Sequence, residues 1–461
     1  MLMRNIAQKL LPWEWLILVL LIPVTLLPFG AASVGLLLIP LLWLVRKATT
    51  GRWIIPTPYD LAIWLLLAMV GVSFAMMFEP LVSGPKIAGI LLGIGLFYAT
   101  AAAGRNHRGL WPIVGFVLLT GTLMAVVGLV GAEWQPPFAF LNQARAWLPL
   151  PGGLPGAVGG IVNANELAGV LSWVLPLMLG CLLAGLRRPT PVLLVAMLLL
   201  LAALLFNGFI LVATLSRGGM LAVALGLLLV VALVLPPRWR LVLAIGLAVG
   251  LIALGAYAGN RLDQNLVGDA VGLSGRLEIW SRALLGIADF PLTGMGVNGF
   301  RRVVHALYPL YSIPAEVDLG HAHNHLLQTA LDLGLPGLVA YVAIWWISAG
   351  LLWSTYRRLQ RRRAARHPYY GLMAGLAGSL LAGWVFGIFD AVALGARPGF
   401  LWWLLLGLTA GVHYAVVYSG QSLRRGRHRR ASQTARPSLT TPASRPPAQR
   451  TSQPAPPPGP H

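Results

Sequence analysis

The sequence predicts an all-α polytopic integral membrane protein of about 12 transmembrane helices, and three observations predict it. Of the 461 residues, 57% are hydrophobic and only 10% are charged, against roughly 25% charged in soluble domains. Apolar stretches of about 20 residues, each long enough to cross a bilayer core, recur from end to end. The connections between them alternate between dense and sparse in Lys and Arg, which is the positive-inside pattern.

In order, spans are expected near residues 13–28, 31–45, 59–78, 85–103, 109–131, 161–186, 190–214, 219–236, 240–258, 325–353, 369–390 and 398–418. No water satisfies the backbone in a bilayer core, so each is read as a helix. No small-residue cleavage pattern follows the first span, which is therefore read as retained. With Arg4 and Lys9 inside, the inner connections gather RKATTGR (46–52), RNHR (105–108), RR (187–188), RWR (238–240), RRLQRRRAARH (357–367) and the tail. These hold most of the 34 basic residues, and an even number of spans returns both termini to the cytoplasm. The formal net charge of +21 then reads as topology and attraction to anionic lipid; no nucleic-acid partner is expected. The single cysteine, Cys181, lies in an apolar stretch and is expected to pack there.

Residues 1–420 form the expected membrane domain. Two outer connections are long: 132–160, rich in Pro, Gly and aromatics, and 259–324, between helices 9 and 10. A structureless loop of the second length is uncommon, so 259–324 is expected to be a small folded extracytoplasmic subdomain. Within it Leu277, Trp280, Leu284 and Ile287 recur at helical spacing, with Ser274 as a candidate cap. Residues 421–461, a basic cluster followed by Pro, Ser, Thr and Gln, read as a disordered cytoplasmic tail.

Polar residues collect at the outer mouths of the spans. The stretch GHAHNHLLQTALDLGLPG (320–337) sets His321, His323 and His325 just ahead of the tenth span. TLSRGGM (214–220) places Arg217 in a tight outer turn, and NANELAG (163–169) puts Asn165 and Glu166 at the start of the sixth span. Arg276 lies in the loop helix. Each has a plain alternative: Arg217 can reach lipid headgroups, and Asn163 or Asn165 can cap a helix. Glu166 and Asp332 are costlier, because ionisable groups within spans face the protein interior or a wet cavity. GMGVNG (294–299) matches GxGxxG but follows no predicted strand, so no nucleotide is inferred.

If the tenth helix starts near Asn324, a good capping type, then His325, Gln328 and Asp332 share one inward stripe. His323 then stands before the first turn, where a helix N-terminus and nearby arginines disfavour imidazolium. Three roles stay open for the histidines: general base, hydrogen bonding, and metal ligation. Zinc needs three or four converging ligands, HxHNH supplies two at most, and His305 is the only other outer histidine, so no metal is expected.

At these residues the chain resembles the O-antigen ligase and O-antigen polymerase superfamily. NANELAG, TLSRGGML, GRLEIW with PLTGMGVNGF, and HAHNHLLQTALDLGLPGLVAY stand in that family's order, over about 160–350. The resemblance implies a GT-C-like membrane fold, no cofactor, and transfer of a glycan from undecaprenyl pyrophosphate to a hydroxyl acceptor on the outer face of the plasma membrane. The acceptor could be lipid A-core, another glycan or a surface polymer. It also implies His323 as the catalytic base and Arg217 and Arg276 as the pyrophosphate ligands; Asn165, Glu166, Asn324, His321, His325 and Gln328 are read beside them as supporting residues, His325 standing where the family varies. Two alternatives remain: a polymerase joining lipid-linked repeat units, and a multi-span transporter. A transporter would want broken helices and charges near the midplane.

Overall fold

The computed structural model describes residues 11–23, 34–143, 162–186, 190–242 without 237, 273–361 without 315, and 367–434 without 393 and 396, with a few single positions besides. Regular structure among them is helical, with no strand. The order is α1 (Glu14–Val19), α2 (Leu38–Thr50), α3 (Asp60–Ala75), α4 (Pro80–Ala103), α5 (His107–Gly131), α6 (Ala164–Gly185) and α7 (Pro191–Ala213). There follow α8 (Arg217–Val234), α9 (Leu273–Asp289), α10 (Gly299–Leu307), α11 (His325–Arg361), α12 (Pro368–Gly387) and α13 (Phe400–Thr434).

Among the described residues, eight segments are long and apolar enough to cross a membrane: α4 to α8, α11, α12, and Arg397–Val417 at the start of α13. The apolar α3 is shorter. Of the remaining expected spans, 13–28 and 31–45 are described in part, as α1 and α2, and 240–258 in part, at 240–242, 245–246 and 249–250, while 144–161 and 259–272 lie outside the described residues. The chain divides into one unit to Val417 and a second from Tyr418. The second unit carries helix as far as Thr434, through the basic cluster 424–430. Good helix formers such as Arg, Gln and Ala fill that stretch, and Pro437 comes only after it. Residues 435–458 lie outside the description.

Small residues set the packing of α6, α8 and α12. A Cβ on Gly180 would stand 2.5 Å from the Gly371 carbonyl oxygen, and one on Gly226 would stand 2.7 Å from that of Gly378. Further along the α6–α12 seam, Phe386 lies over Gly169 and Trp173 over Gly383. Lipid offers apolar side chains no reason to seek one another, so close backbone approach through Gly is what fixes such helices together. The seam matters because it fixes the start of α6, the start of α8 and the end of α12 against one another.

The chain between α8 and α11 builds a second, separate apolar cluster. Ile279, Ala283, Phe300, Val304, Ile313 and Leu319 are buried in it with Leu331 of α11. Of the four positions at helical spacing, Ile287 packs against this cluster and Trp280 reaches the Ala322 carbonyl. Leu277 and Leu284 are 55% and 58% exposed, and Ile279 and Ala283 are buried in the cluster. The side chain of Ser274 lies outside the described residues.

PLTGMG (291–296) docks on a break in α11. Gly334 sits at φ +67°, and a Cβ on Gly294 (φ +68°) would meet the Gly334 nitrogen at 2.6 Å. The Met295 amide donates to the Leu331 carbonyl (2.6 Å) and the Leu335 amide to that of Pro291 (2.7 Å). The first two glycines of the GxGxxG pattern, Gly294 and Gly296 (φ +79°, its Cβ position 2.8 Å from the Met76 carbonyl oxygen), are therefore explained by backbone approach and positive φ.

Candidate active site

Four chain segments bring their polar residues to one end of the helix bundle. At the start of α6, Asn163 caps the helix by accepting from the amides of Asn165 (2.8 Å) and Glu166 (3.2 Å). That leaves the Asn165 side chain free to point elsewhere. Its amide nitrogen donates to Asp390 Oδ2, and its oxygen accepts from Ser216 Oγ at 2.5 Å. Ser216 also caps α8, accepting from the Gly219 amide at 3.2 Å. Asp390 follows the end of α12 and is buried, 2% exposed.

Asp390 Oδ1 lies 3.1 Å from His321 Nε2. His321 Nδ1 accepts from the His323 amide at 3.1 Å, so the neutral ring carries its proton on Nε2 and donates it to Asp390. The two imidazoles meet edge to face with centroids 4.3 Å apart. A single chain of contacts thus runs from Ser216 through Asn165, Asp390 and His321 to His323.

The histidine segment is clamped from both sides at Ala322. Its amide donates to Gln328 Oε1 (2.7 Å), and its carbonyl accepts from Trp280 Nε1 of α9 (3.1 Å). Asn324 caps α11 through the amides of Leu326 (2.9 Å) and Leu327 (3.1 Å), and its Nδ2 reaches the Ile388 carbonyl (3.2 Å). These contacts hold His323 at φ 49°, a left-handed conformation uncommon outside Gly. Among the described residues, the other non-glycine residues at positive φ are Leu215, one residue before Ser216, and Asn298. Such conformations cost energy and gather at functional sites.

The cations arrive differently. Arg276, half-buried on α9, acts electrostatically on both His321 and Asp390. Arg217 occupies the first position of α8, beside Ser216, and is exposed. Glu166 lies where the charges of Asp390 and Arg397 reach it. Burial pushes the His321 imidazole down to about 4, helped by Lys86, Arg301 and Arg276, so it is neutral at pH 7. Burial raises the Asp390 carboxyl, opposed by His323 and Arg276.

Two expected members behave otherwise. His325 turns into an aromatic cluster: its Nδ1 lies 2.9 Å from the Tyr341 hydroxyl, and the rings of Trp345 and Trp384 flank it. It shares burial with Gln328 and Asp332 but none of their bonds. Asp332 is a hub, accepting from Lys86 Nζ (2.7 Å), the Asn298 amide (3.0 Å) and Gln328 Nε2 (2.8 Å). It ties the histidine segment to α4.

Sequence reasoning missed Asp390 and Lys86. The signal was there: each is an ionisable residue in an apolar stretch, in GIFDAV (387–392) and VSGPKIAG (82–89).

His321, His323 and Asp390 also present ligand atoms within 4.8 Å of one another, a grouping that could hold a metal ion. Both His321 nitrogens and both Asp390 oxygens already have protein partners. Arg276, Lys86 and Arg301 add positive potential, so the surroundings suit an anion better than a cation.

A polytopic helical membrane protein thus gathers a neutral histidine, a buried aspartate and arginine charge at one end of its bundle. Residues 202–342 match the family described as O-antigen ligase. The matched segment holds Arg217, Arg276 and all three histidines. No curated protein matches the chain. Asn165, Glu166 and Asp390 lie outside the matched segment, and the helix seam brings Asn165 and Asp390 to His321.

Proposed function

We propose that the protein is a glycosyltransferase of the O-antigen ligase type, moving a glycan from undecaprenyl pyrophosphate to a hydroxyl acceptor at the outer face of the plasma membrane. The observation that carries this reading is the contact chain from Ser216 to His323, flanked by Arg217 at one end and reached by the charge of Arg276.

In the proposed step, His323 takes the acceptor's hydroxyl proton as that oxygen attacks the anomeric carbon. The bond from that carbon to the pyrophosphate oxygen breaks, its electron pair leaves with the pyrophosphate, and the sugar's configuration inverts. Arg217 and Arg276 hold the departing oxygens and offset the charge that grows on them. His321, Asp390 and Asn165 orient the base, while Asn324 and Gln328 fix the segment that carries it. Pyrophosphate leaves readily, so the reaction calls for no metal.

The reading extends to twelve spans with both termini cytoplasmic, supported by the alternation of basic connections. Purified protein, lipid-linked glycan and candidate acceptors test it together. Release of lipid pyrophosphate in step with acceptor glycosylation, undiminished by a chelator, is the expected result. Lengthening of the lipid-linked glycan itself would assign polymerisation instead, and no release with any acceptor would reject both.

A further inference from the structure

At the opposite end of α11 from the histidines, an apolar groove runs into a cluster of arginines. The groove, of about 490 Å³, lies between α8, α11 and α12. Its inner wall is apolar, with Leu352, Met373 and Leu380 buried. Trp346 and Trp353, 74% and 59% exposed, form its rim. From Trp345 to Tyr356 it follows α11 for about 16 Å at helical rise, which is half of a hydrocarbon core of about 30 Å. At Trp353 it meets a second cavity of about 550 Å³, lined by Trp353, Ser354, Arg357, Arg358 and Arg361. The Arg357 guanidinium stands over the Trp353 ring at 6.0 Å. None of the ion pairs among the described residues involves these three arginines.

We propose that the two cavities form one site for a single anionic glycerophospholipid of the leaflet on the arginine side. An acyl chain lies in the groove and the phosphate among Arg357, Arg358 and Arg361. The groove alone would accept any acyl chain. Three guanidinium groups at its open end add the selectivity, because they bond phosphate oxygens in pairs and suffer less than ammonium groups on partial desolvation. The groove's length matches one leaflet, which a phospholipid fills and a free phosphate does not. Basic pockets between membrane helices recognise anionic headgroups by this combination.

Delipidated full-length protein in a neutral detergent, given phosphatidylglycerol or phosphatidylcholine, tests the proposal by native mass spectrometry and thermal unfolding. Phosphatidylglycerol is expected to be retained and to raise the unfolding temperature, with phosphatidylcholine doing neither. Replacing Arg357, Arg358 and Arg361 together by Gln should weaken phosphatidylglycerol retention about hundredfold, with unfolding in detergent alone unchanged. Trp353→Ala should weaken it less, while keeping the preference for the anionic lipid. Equal retention of both lipids, or undiminished retention by the triple variant, overturns the proposal. So does displacement of the lipid by inorganic phosphate with no effect of Trp353→Ala, which would leave a bare anion site.

Discussion

The two ends of α11 are built on opposite plans. At its start, the polar atoms of Asn324, Gln328 and Asp332 are bonded to neighbouring backbone or side chains, and the Ala322 peptide is gripped on both faces. At its end, Arg357, Arg358 and Arg361 are exposed around a cavity. The first plan is that of a pre-organised site, where geometry is set before a substrate arrives. The second suits recognition of a mobile lipid, where charge matters more than position. The two ends of one helix thus carry different kinds of chemistry.

The comparison breaks first at His323. Replacement by Ala should lower glycan transfer by about 10²- to 10⁴-fold, the usual range for a general base, while the protein still folds and inserts. Transfer is followed by release of lipid pyrophosphate, and folding by the unfolding temperature. Normal transfer would reduce the ordered end of α11 to scaffolding.

Next in size is the pair that anchors that end to α4. Lys86 and Asp332 are 12% and 3% exposed and meet at 2.7 Å. Lys86→Ala leaves a buried carboxylate without its cation, which costs about 3–5 kcal/mol. The double replacement Lys86→Ala with Asp332→Ala should recover much of that loss. A double-mutant cycle on the unfolding temperature measures the coupling, and strict additivity would show that the pair does not anchor the helix.

Asp390→Asn sharpens the comparison at the site itself. Asn keeps the shape but loses the charge that His321 and Asn165 address and turns an NH2 toward one of those donors, so transfer should fall about 10- to 100-fold, with a stability cost of about 1–3 kcal/mol. If Asp390 acts by orienting the histidines, the loss appears in kcat with KM held. A loss confined to KM would assign Asp390 to substrate binding instead.

Much of this was legible in the sequence, and the exceptions share a cause. The long apolar helices follow from length and hydropathy, and Asn324 caps α11 as its residue type predicts. The face of α9 followed only in part. Beside a membrane an apolar position can point to lipid as well as to a core, so Leu277 and Leu284 could not be told from Ile279 and Ala283 by spacing. His325 was rightly read as inward, but spacing along one helix says nothing about α12, which supplies Trp384. Asp390 escaped because its partners, Asn165 and His321, are 225 and 69 positions away in sequence, and only the glycine seam of α6 and α12 unites them.

The smallest expected effect is a pH slope in stability from His321. Its folded pKa is depressed to about 4, while in the unfolded chain it takes the ordinary value near 6.5. Above about 6.5 both states hold the neutral ring, and the group leaves stability unchanged. As pH falls from there toward 4, the unfolded chain gains a proton that the folded ring refuses, so stability declines. Below about 4 both are protonated and the slope ends. His321→Gln, which cannot titrate, should flatten this part of the profile of unfolding temperature against pH. A wild-type profile already flat between 6.5 and 4 would mean that water reaches the ring, and that the Asp390–His321 contact is far less enclosed than its 3% and 23% exposures indicate.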